Sequence, residues 1–277
     1  MTVTPFSITV FAALAIFCWA TFRLIRTLVR ASPMRKNVTT CGYVAPPPSI
    51  KDTGRMLKVA RRLTNIQVGK LTFEGLHHLD SLDGPTIFSA NHPHWVDVAI
   101  LPQMIQAPCR YMAHGRVMQS LGGFLGVYLS KMGAFAANDS IKDGGTRTRQ
   151  GAATMLARGE NIVILPEGLT NFSPEVSVFK EGTVKIARMA AQMRGGPVYI
   201  TPAYIRYGKY PGPWLARFDR QIQFFTIFFL SPFFRRGART VVGKPISTDE
   251  LFADGRDDAA ATQYLKDAIV ALDPGRV

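Results

Sequence analysis

Residues 86–97 read TIFSANHPHWVD, and residues 162–182 read IVILPEGLTNFSPEVSVFKEG. Each opens on a short apolar run, Thr86–Ala90 and Ile162–Leu165, and each run stops at a polar turn. Runs this short are too brief for a helix. Apolar on both faces, they read as strands buried on both sides, the habit of a parallel sheet covered by helices. Both turns carry reactive groups: Asn91-His92 follows the first strand, and Pro166-Glu167-Gly168 follows the second. In open α/β sheets such groups gather at the carboxyl ends of strands. The two segments together set the class as α/β.

The alternation continues outward from them. Strands are expected at Leu71–Glu74, Arg110–Ala113, Gly133–Ala137, Val198–Ile205 and Thr240–Val242. Helices are expected around Val98–Ile105, Met118–Lys131, Thr146–Arg158, Thr183–Arg194 and Ala259–Leu272. Helices then lie on the faces of a central sheet. Gln221–Phe234 (QIQFFTIFFLSPFF) is too short and interrupted to span a bilayer. We read it as core strands, with a wall facing lipid or an apolar ligand channel as the alternative.

Composition narrows the partners. The 277 residues are 47% hydrophobic and 19% charged, with a net charge of +14. That is enough apolar surface for a sizeable core and excludes a disordered chain. A chain both basic and apolar points to a membrane surface, and no basic-aromatic groove pattern, zinc knuckle or RNP-like run points to nucleic acid. Three cysteines without a CxxC argue against a disulfide framework or a cysteine zinc site.

The charge is concentrated. About eleven Lys and Arg against one acid, Asp52, fall between Arg23 and Lys70. They follow the apolar run Pro5–Phe22, whose roughly 18 residues reach about 27 Å as a helix. Cations follow the run rather than precede it, and no small-x-small cleavage site is present, so it reads as a membrane anchor and not a signal peptide. The positive-inside rule then puts the remainder on the cytoplasmic face. Residues 1–36 are expected to be the anchor with its basic flank. Residues 37–66 hold a Pro-rich linker, Ala45–Pro48, and a basic helix, Arg55–Ile66. In that helix Met56, Val59, Ala60 and Leu63 share an apolar face, with Arg55, Lys58, Arg61 and Arg62 between them. It is read as lying on anionic lipid. Residues 67–277 are expected to form the α/β domain that carries both segments.

Asp97 lies five residues after His92. A helix starting near Pro93 brings its carboxylate round to the imidazole. There it fixes the tautomer and stabilises the protonated ring, which makes His92 a general base. A second such spacing, His78 to Asp83, sits in a polar turn with no strand leading into it and is set aside.

The ordered set His92-x-x-x-x-Asp97, Pro166-Glu167-Gly168, Phe179-x-x-Gly182 and a strand with a central proline, Pro202, resembles the glycerolipid acyltransferases of the lysophosphatidate acyltransferase type. The resemblance covers roughly Leu71 to Val242. It implies one acyltransferase domain with a mixed central sheet flanked by helices. It implies an enzyme that moves a fatty acyl chain from acyl-CoA or acyl-carrier protein to the hydroxyl of a lysolipid in phospholipid biosynthesis. His92 would be the base and Asp97 its orienter. Glu167, Gly168, Thr170 and Asn171 would shape the acceptor site, with Arg116 and Lys180 supplying charge. No cofactor and no metal are implied.

The chain also departs from that family. Phosphatidate-forming members usually carry Glu-Gly-Thr-Arg-Ser, and here Thr170 stands where the arginine would be, followed by Asn171. The strand-ending arginine of another block is absent from Gly133–Asp139, and the usual helix-leading lysine falls near His114, two residues before Arg116. Loss of bidentate cations weakens the case for a bare phosphomonoester acceptor. The pattern is similar to the branch that reacylates lysophospholipids with larger headgroups. Arg110, Arg116, Lys131 and Lys180 remain as candidate cations. Other classes considered are a metal-dependent hydrolase on His92-Pro93-His94 and a non-catalytic lipid-binding protein on the same scaffold.

Overall fold

The short apolar runs form one sheet. Its strands are β1 (Leu71–Glu74), β2 (Thr86–Ala90), β3 (Cys109–His114), β4 (Ala134–Ala137), β5 (Asn161–Ile164), β6 (Tyr199–Tyr207), β7 (Ala238–Val242) and β8 (Ile246–Ser247). The structure is a computed structural model. It describes residues 32–275 except 81, 138–141, 211–212, 219, 231–232 and 234–236, together with positions 19, 21–23, 26 and 29. The expected anchor Pro5–Phe22 lies almost entirely outside the described residues, as does the Asn138-Asp139 pair.

The strand order is β1-β7-β6-β2-β5-β3-β4, with β8 pairing β6 beside β7. Strands β2 to β6 run parallel; β7 and β8 are antiparallel to β6, and β1 is parallel to β7. The sheet is therefore mixed. Helices cover both faces: α1 (Ile50–Gln67), α2 (Asp97–Ile105), α3 (Phe124–Lys131), α4 (Gly144–Ala157), α5 (Gly182–Arg194), α6 (Arg220–Leu230) and α7 (Asp258–Val270).

Strand alternation divides the core in two. Ile87, Ile200 and Tyr204 point into a layer under α4, α5 and α7. Phe88, Ala90, Ala203, Ile205 and Tyr207 point into a second layer with α1 and α2. Each fully buried Ile or Phe contributes roughly 1.5–3 kcal/mol. Pro202, inside the long central strand β6, is accommodated by a gap. Its carbonyl accepts the Gly243 N–H (2.8 Å), where β7 has ended and β8 has not begun. A proline there forfeits no ladder bond. A Cβ on Gly243 would meet the Pro202 ring at 2.9 Å, so that position requires glycine.

Three expectations are corrected. Gln221–Phe234 does not supply core strands: its residues up to Leu230 belong to α6, which exposes Ile222, Phe225 and Phe229. A run of aromatics has strand propensity, but with no sheet edge to join it takes the helix. Met118–Lys131 is not one helix. A short turn of helix, Gly115–Gln119, is separated from α3 by Leu121, Gly122 and Gly123, all at positive φ. The basic helix is longer than Arg55–Ile66, and its buried face is Thr53, Met56, Ala60, Thr64 and Gln67, with Val59 turned outward. Of the polar members, Thr64 is satisfied locally: its hydroxyl donates to the Ala60 carbonyl (3.0 Å) and accepts from Gln103 Nε2 on α2 (3.0 Å). The helix thus packs on the domain and presents Arg55, Lys58, Arg61 and Arg62 outward.

Candidate active site

The β2 strand ends in a side chain that imitates backbone. The ladder with β6 stops at the pair Ala90–Ala203. Beyond it, buried Asn91 accepts the Ile205 N–H at Oδ1 (2.7 Å) and donates from Nδ2 to the Ile205 carbonyl (3.0 Å). The side chain supplies the next rung, so the main chain is free to leave the sheet at His92.

Residues 93–96 form a turn, and α2 begins at Asp97 itself rather than near Pro93. The Asp97 N–H donates to the His94 carbonyl (3.1 Å), which folds the carboxylate back under His92. His92 Nδ1 lies 2.9 Å from Asp97 Oδ2. The same oxygen accepts the His94 N–H (2.8 Å), and Oδ1 accepts the Tyr207 hydroxyl (2.5 Å). Asp97 is fully buried. Burial pushes its carboxyl above the usual range, against the pull of His92, Tyr207 and the His94 N–H. A carboxylate beside Nδ1 selects the tautomer protonated there, which leaves the lone pair on Nε2. That nitrogen is bonded by no described residue, and the ring keeps 14% of its surface exposed. A histidine held in this way can take a proton from a bound hydroxyl.

His94 turns the other way. It packs against Trp95, Phe172 and Tyr207, its Nδ1 accepts the Val96 N–H (3.2 Å), and burial lowers its pKa to about 3. It stays neutral at physiological pH. His92 and His94 therefore do not face a common point. Among the described residues no group of three or more His, Cys, Asp or Glu is placed to hold a metal.

Glu167 follows β5, the neighbour of β2, and is buried. Its Oε1 accepts the His92 N–H (2.6 Å); its Oε2 accepts Asn171 Nδ2 (3.0 Å), the Ser177 N–H (3.0 Å) and the Ser177 hydroxyl (2.5 Å). Four donors on one carboxylate make it the knot of the 167–177 loop. The loop is tied to the histidine turn a second time: the Asn171 N–H donates to the His92 carbonyl (3.3 Å) and the Phe172 N–H to the Pro93 carbonyl (3.1 Å). Phe172 takes a positive φ of 55°, which is strained for a bulky side chain. Burial of its ring with Leu215 and Trp95 offsets that strain.

The other expected residues divide. Gly168, at φ 72°, is exposed, and the Lys180 stem lies over it, 3.3 Å from where a Cβ would stand. Lys180 is anchored there by its N–H on the Pro166 carbonyl (3.0 Å). Asn171 spends its side chain inside the loop, on Glu167, Glu175 and Ser173. Thr170 is half-buried and takes no part in that network. Arg116 is exposed just past β3, two strands from β2 along the same edge. Arg110 does not supply charge at the site. It is fully buried near the start of β3, where Nε donates to Glu160 (2.6 Å) and a terminal nitrogen to the Ala45 carbonyl (2.7 Å). The set-aside His78 and Asp83 lie between β1 and β2, before the amino end of β2 and away from His92.

Three contributors were not foreseen: Tyr207, Asn91 and Ser177. Tyr207 lies 110 residues from Asp97, and only strand alternation on β6, which puts it on the face of Ala203 and Ile205, hinted at its direction.

Residues 70–206 match the family model described as Acyltransferase. No curated protein matches the chain in sequence. Among solved structures, the fold is similar to that of the 1-acyl-sn-glycerophosphate (LPA) acyltransferase PlsC from Thermotoga maritima. The identity is 16%, with 92% of this chain and 90% of that chain covered and a TM-score of 0.51. His92, Asp97 and Glu167 all lie within that match, so this part of the chain is an acyltransferase domain, and the likeness to the Thermotoga maritima protein shows the shared fold.

Proposed function

We propose that the protein transfers a fatty acyl chain from an acyl thioester, acyl-CoA or acyl-carrier protein, to the free hydroxyl of a lysolipid of the 1-acyl-glycerol-3-phosphate type. The observation that carries this reading is the open Nε2 of His92, held by the buried Asp97 at a sheet edge shared with Glu167. The acceptor hydroxyl gives its proton to Nε2 as its oxygen bonds to the thioester carbonyl carbon. The tetrahedral intermediate then expels sulfur, and the thiolate takes the proton back from His92. Products are the acylated lipid and a free thiol, with no acyl-enzyme. Asp97 stabilises the imidazolium that exists between the two transfers. Glu167 sets the backbone position of the base and braces the loop that carries Thr170 and Lys180 toward the acceptor. The Thermotoga maritima protein of similar fold, a 1-acyl-sn-glycerophosphate acyltransferase, is in keeping with this.

A second acceptor class is favoured by one observation. The position of the family arginine is Thr170, and neighbouring Asn171 is committed to the loop. Fixed bidentate cations for a phosphomonoester are thus missing at this turn, in keeping with a lysophospholipid bearing a larger headgroup. Thiol release with lysophosphatidate and with larger lysophospholipids, before and after Thr170→Arg, separates the two. A gain for lysophosphatidate in the variant supports the larger-headgroup reading of the native enzyme. Fast release with lysophosphatidate alone in the native protein refutes it.

We further propose that residues 1–36 anchor the enzyme in the membrane with residues 67–277 as the catalytic domain on its cytoplasmic face. The support is the apolar run Pro5–Phe22 followed by a cationic block. Among the described residues no helix is long and apolar enough to cross a membrane. Flotation of the protein lacking residues 1–36 tests the role of that segment, and unchanged flotation contradicts it.

A further inference from the structure

The α6 helix exposes several large apolar residues. Ile222, Phe225 and Phe229 follow at helical spacing and are 52%, 57% and 62% exposed, and Phe218 before the helix and Phe233 after it are exposed as well. A soluble surface rarely carries so continuous an aromatic ridge without a partner for it.

The charge around the ridge says what that partner is. In sequence, Arg217 and Arg220 precede it and Arg235 and Arg236 follow it, with Asp219 the single acid between Pro213 and Arg236. The ridge is also joined to the basic helix: Gln67, at the end of α1, donates from Nε2 to the Phe228 carbonyl (3.0 Å). On α1, Arg55, Lys58, Arg61 and Arg62 are exposed alongside Val59 and Ile66. An apolar ridge beside the exposed cations of α1 complements an anionic bilayer, whose acyl boundary takes the rings and whose headgroups take the cations. A second copy of this chain would set the same cations against one another. On its inner side the ridge reaches the site: Phe228 lies ring to ring with Trp95 (6.1 Å), three residues from His92.

We infer that α6, with Phe233 beyond it, is an interfacial docking surface that inserts Phe225, Phe229 and Phe233 into an anionic leaflet, with α1 supplying the cations beside it, and so delivers the lysolipid beside His92 without extracting it into water. This surface is distinct from the Pro5–Phe22 anchor, and it rests on the membrane part of the function proposed above.

The test uses full-length protein with Cys18→Ser and an environment-sensitive fluorophore on Phe229→Cys. A control carries the probe on Gln263→Cys, an exposed residue of α7 on the opposite face of the sheet. Phosphatidylglycerol-containing vesicles should shift the α6 probe to the blue and expose it to bromolipid quenching, pure phosphatidylcholine vesicles should do so less, and the control should stay in water. Phe225→Ser/Phe229→Ser should lower kcat/KM for vesicle-borne lysolipid about tenfold or more while leaving a water-soluble short-chain lysolipid unaffected. Four outcomes overturn the inference. The probe stays in water with vesicles; it shifts with soluble acyl thioester alone, making the ridge an acyl-channel wall; it shifts with protein concentration alone, making it a self-association face; or the double variant loses both activities equally. Absence of acyl transfer to any acceptor would instead sink the proposed function, and the fluorescence would still decide the docking surface.

Discussion

The Tyr207 hydroxyl donates to Asp97 Oδ1 at 2.5 Å, reaching from the end of β6 to the first residue of α2. Both groups are buried, and burial beside the carboxylate pushes the phenol well above its usual range, so the proton stays on tyrosine. A hydrogen bond to a buried charge is worth about 1.5–3 kcal/mol. Tyr207→Phe should therefore lower kcat about tenfold or somewhat more with KM little changed. The variant also leaves Asp97 with one donor fewer, so the acid limb of the pH–rate profile should move to higher pH. A fall in activity with an unmoved acid limb would mean that the ring only packs.

Asp97 is a charge kept against stability. Its folded pKa is raised above the unfolded value, so its contribution to stability is present below about pH 4 and is lost as pH rises through the folded pKa. Asp97→Asn should be at least as stable as the native protein at pH 7–8, with the native protein gaining on it toward pH 4. The geometry permits this, because the Tyr207 hydroxyl can accept from the new amide. Activity should drop about a hundredfold or more, since the charge that stabilises the imidazolium is gone. Unfolding curves across pH, with kcat, check both halves.

His94 has the opposite sign. Its pKa is lowered to about 3, so the stability of its neutral burial is present above about pH 6.5 and is lost as pH falls toward 3. Over that window one proton costs up to about 1.4 kcal/mol per pH unit. His94→Asn keeps an acceptor for the Val96 N–H and removes the titration. Its stability between pH 6.5 and 4 should fall less steeply than that of the native protein, by urea unfolding at several pH values.

Glu167 accepts four hydrogen bonds, one of them from the backbone of His92. Glu167→Gln places an amide N–H against other donors, at a cost of about 1–3 kcal/mol. The melting temperature should fall by several degrees and kcat should fall with it. Ser177→Ala, which removes only the hydroxyl bond, should lower both by less. Equal effects would mean that the loop, and not the tie to His92, is what Glu167 serves.

The centre of the sheet was legible because β2 and β5 are short, mostly apolar runs ended by a turn, as strands buried on both faces require. The β2 strand occurs at the expected residues, as does β1. The reactive pair was legible because His92 and Asp97 are near neighbours in sequence. What stayed hidden depends on distant contacts. No local pattern could show that Tyr207 closes on Asp97, or that Asn91 doubles as a ladder rung with Ile205. Arg110 read as a candidate cation for the site and is instead a buried structural one, because Glu160 and the Ala45 carbonyl come from elsewhere in the chain. Gln221–Phe234 misled because aromatic content scores as strand, whereas its place in the fold offered a surface and no edge.

The central claim is that His92, through Nε2, is the base of an acyl transfer. Thiol release from a long-chain acyl-CoA, in the presence of a panel of lysolipids, tests it most directly. The native protein should release thiol only when an acceptor is present. His92→Ala, with an unchanged melting curve, should lose activity by about a hundredfold or more. Near-native turnover in His92→Ala, or loss of turnover on Asp83→Asn in place of Asp97→Asn, would contradict the account.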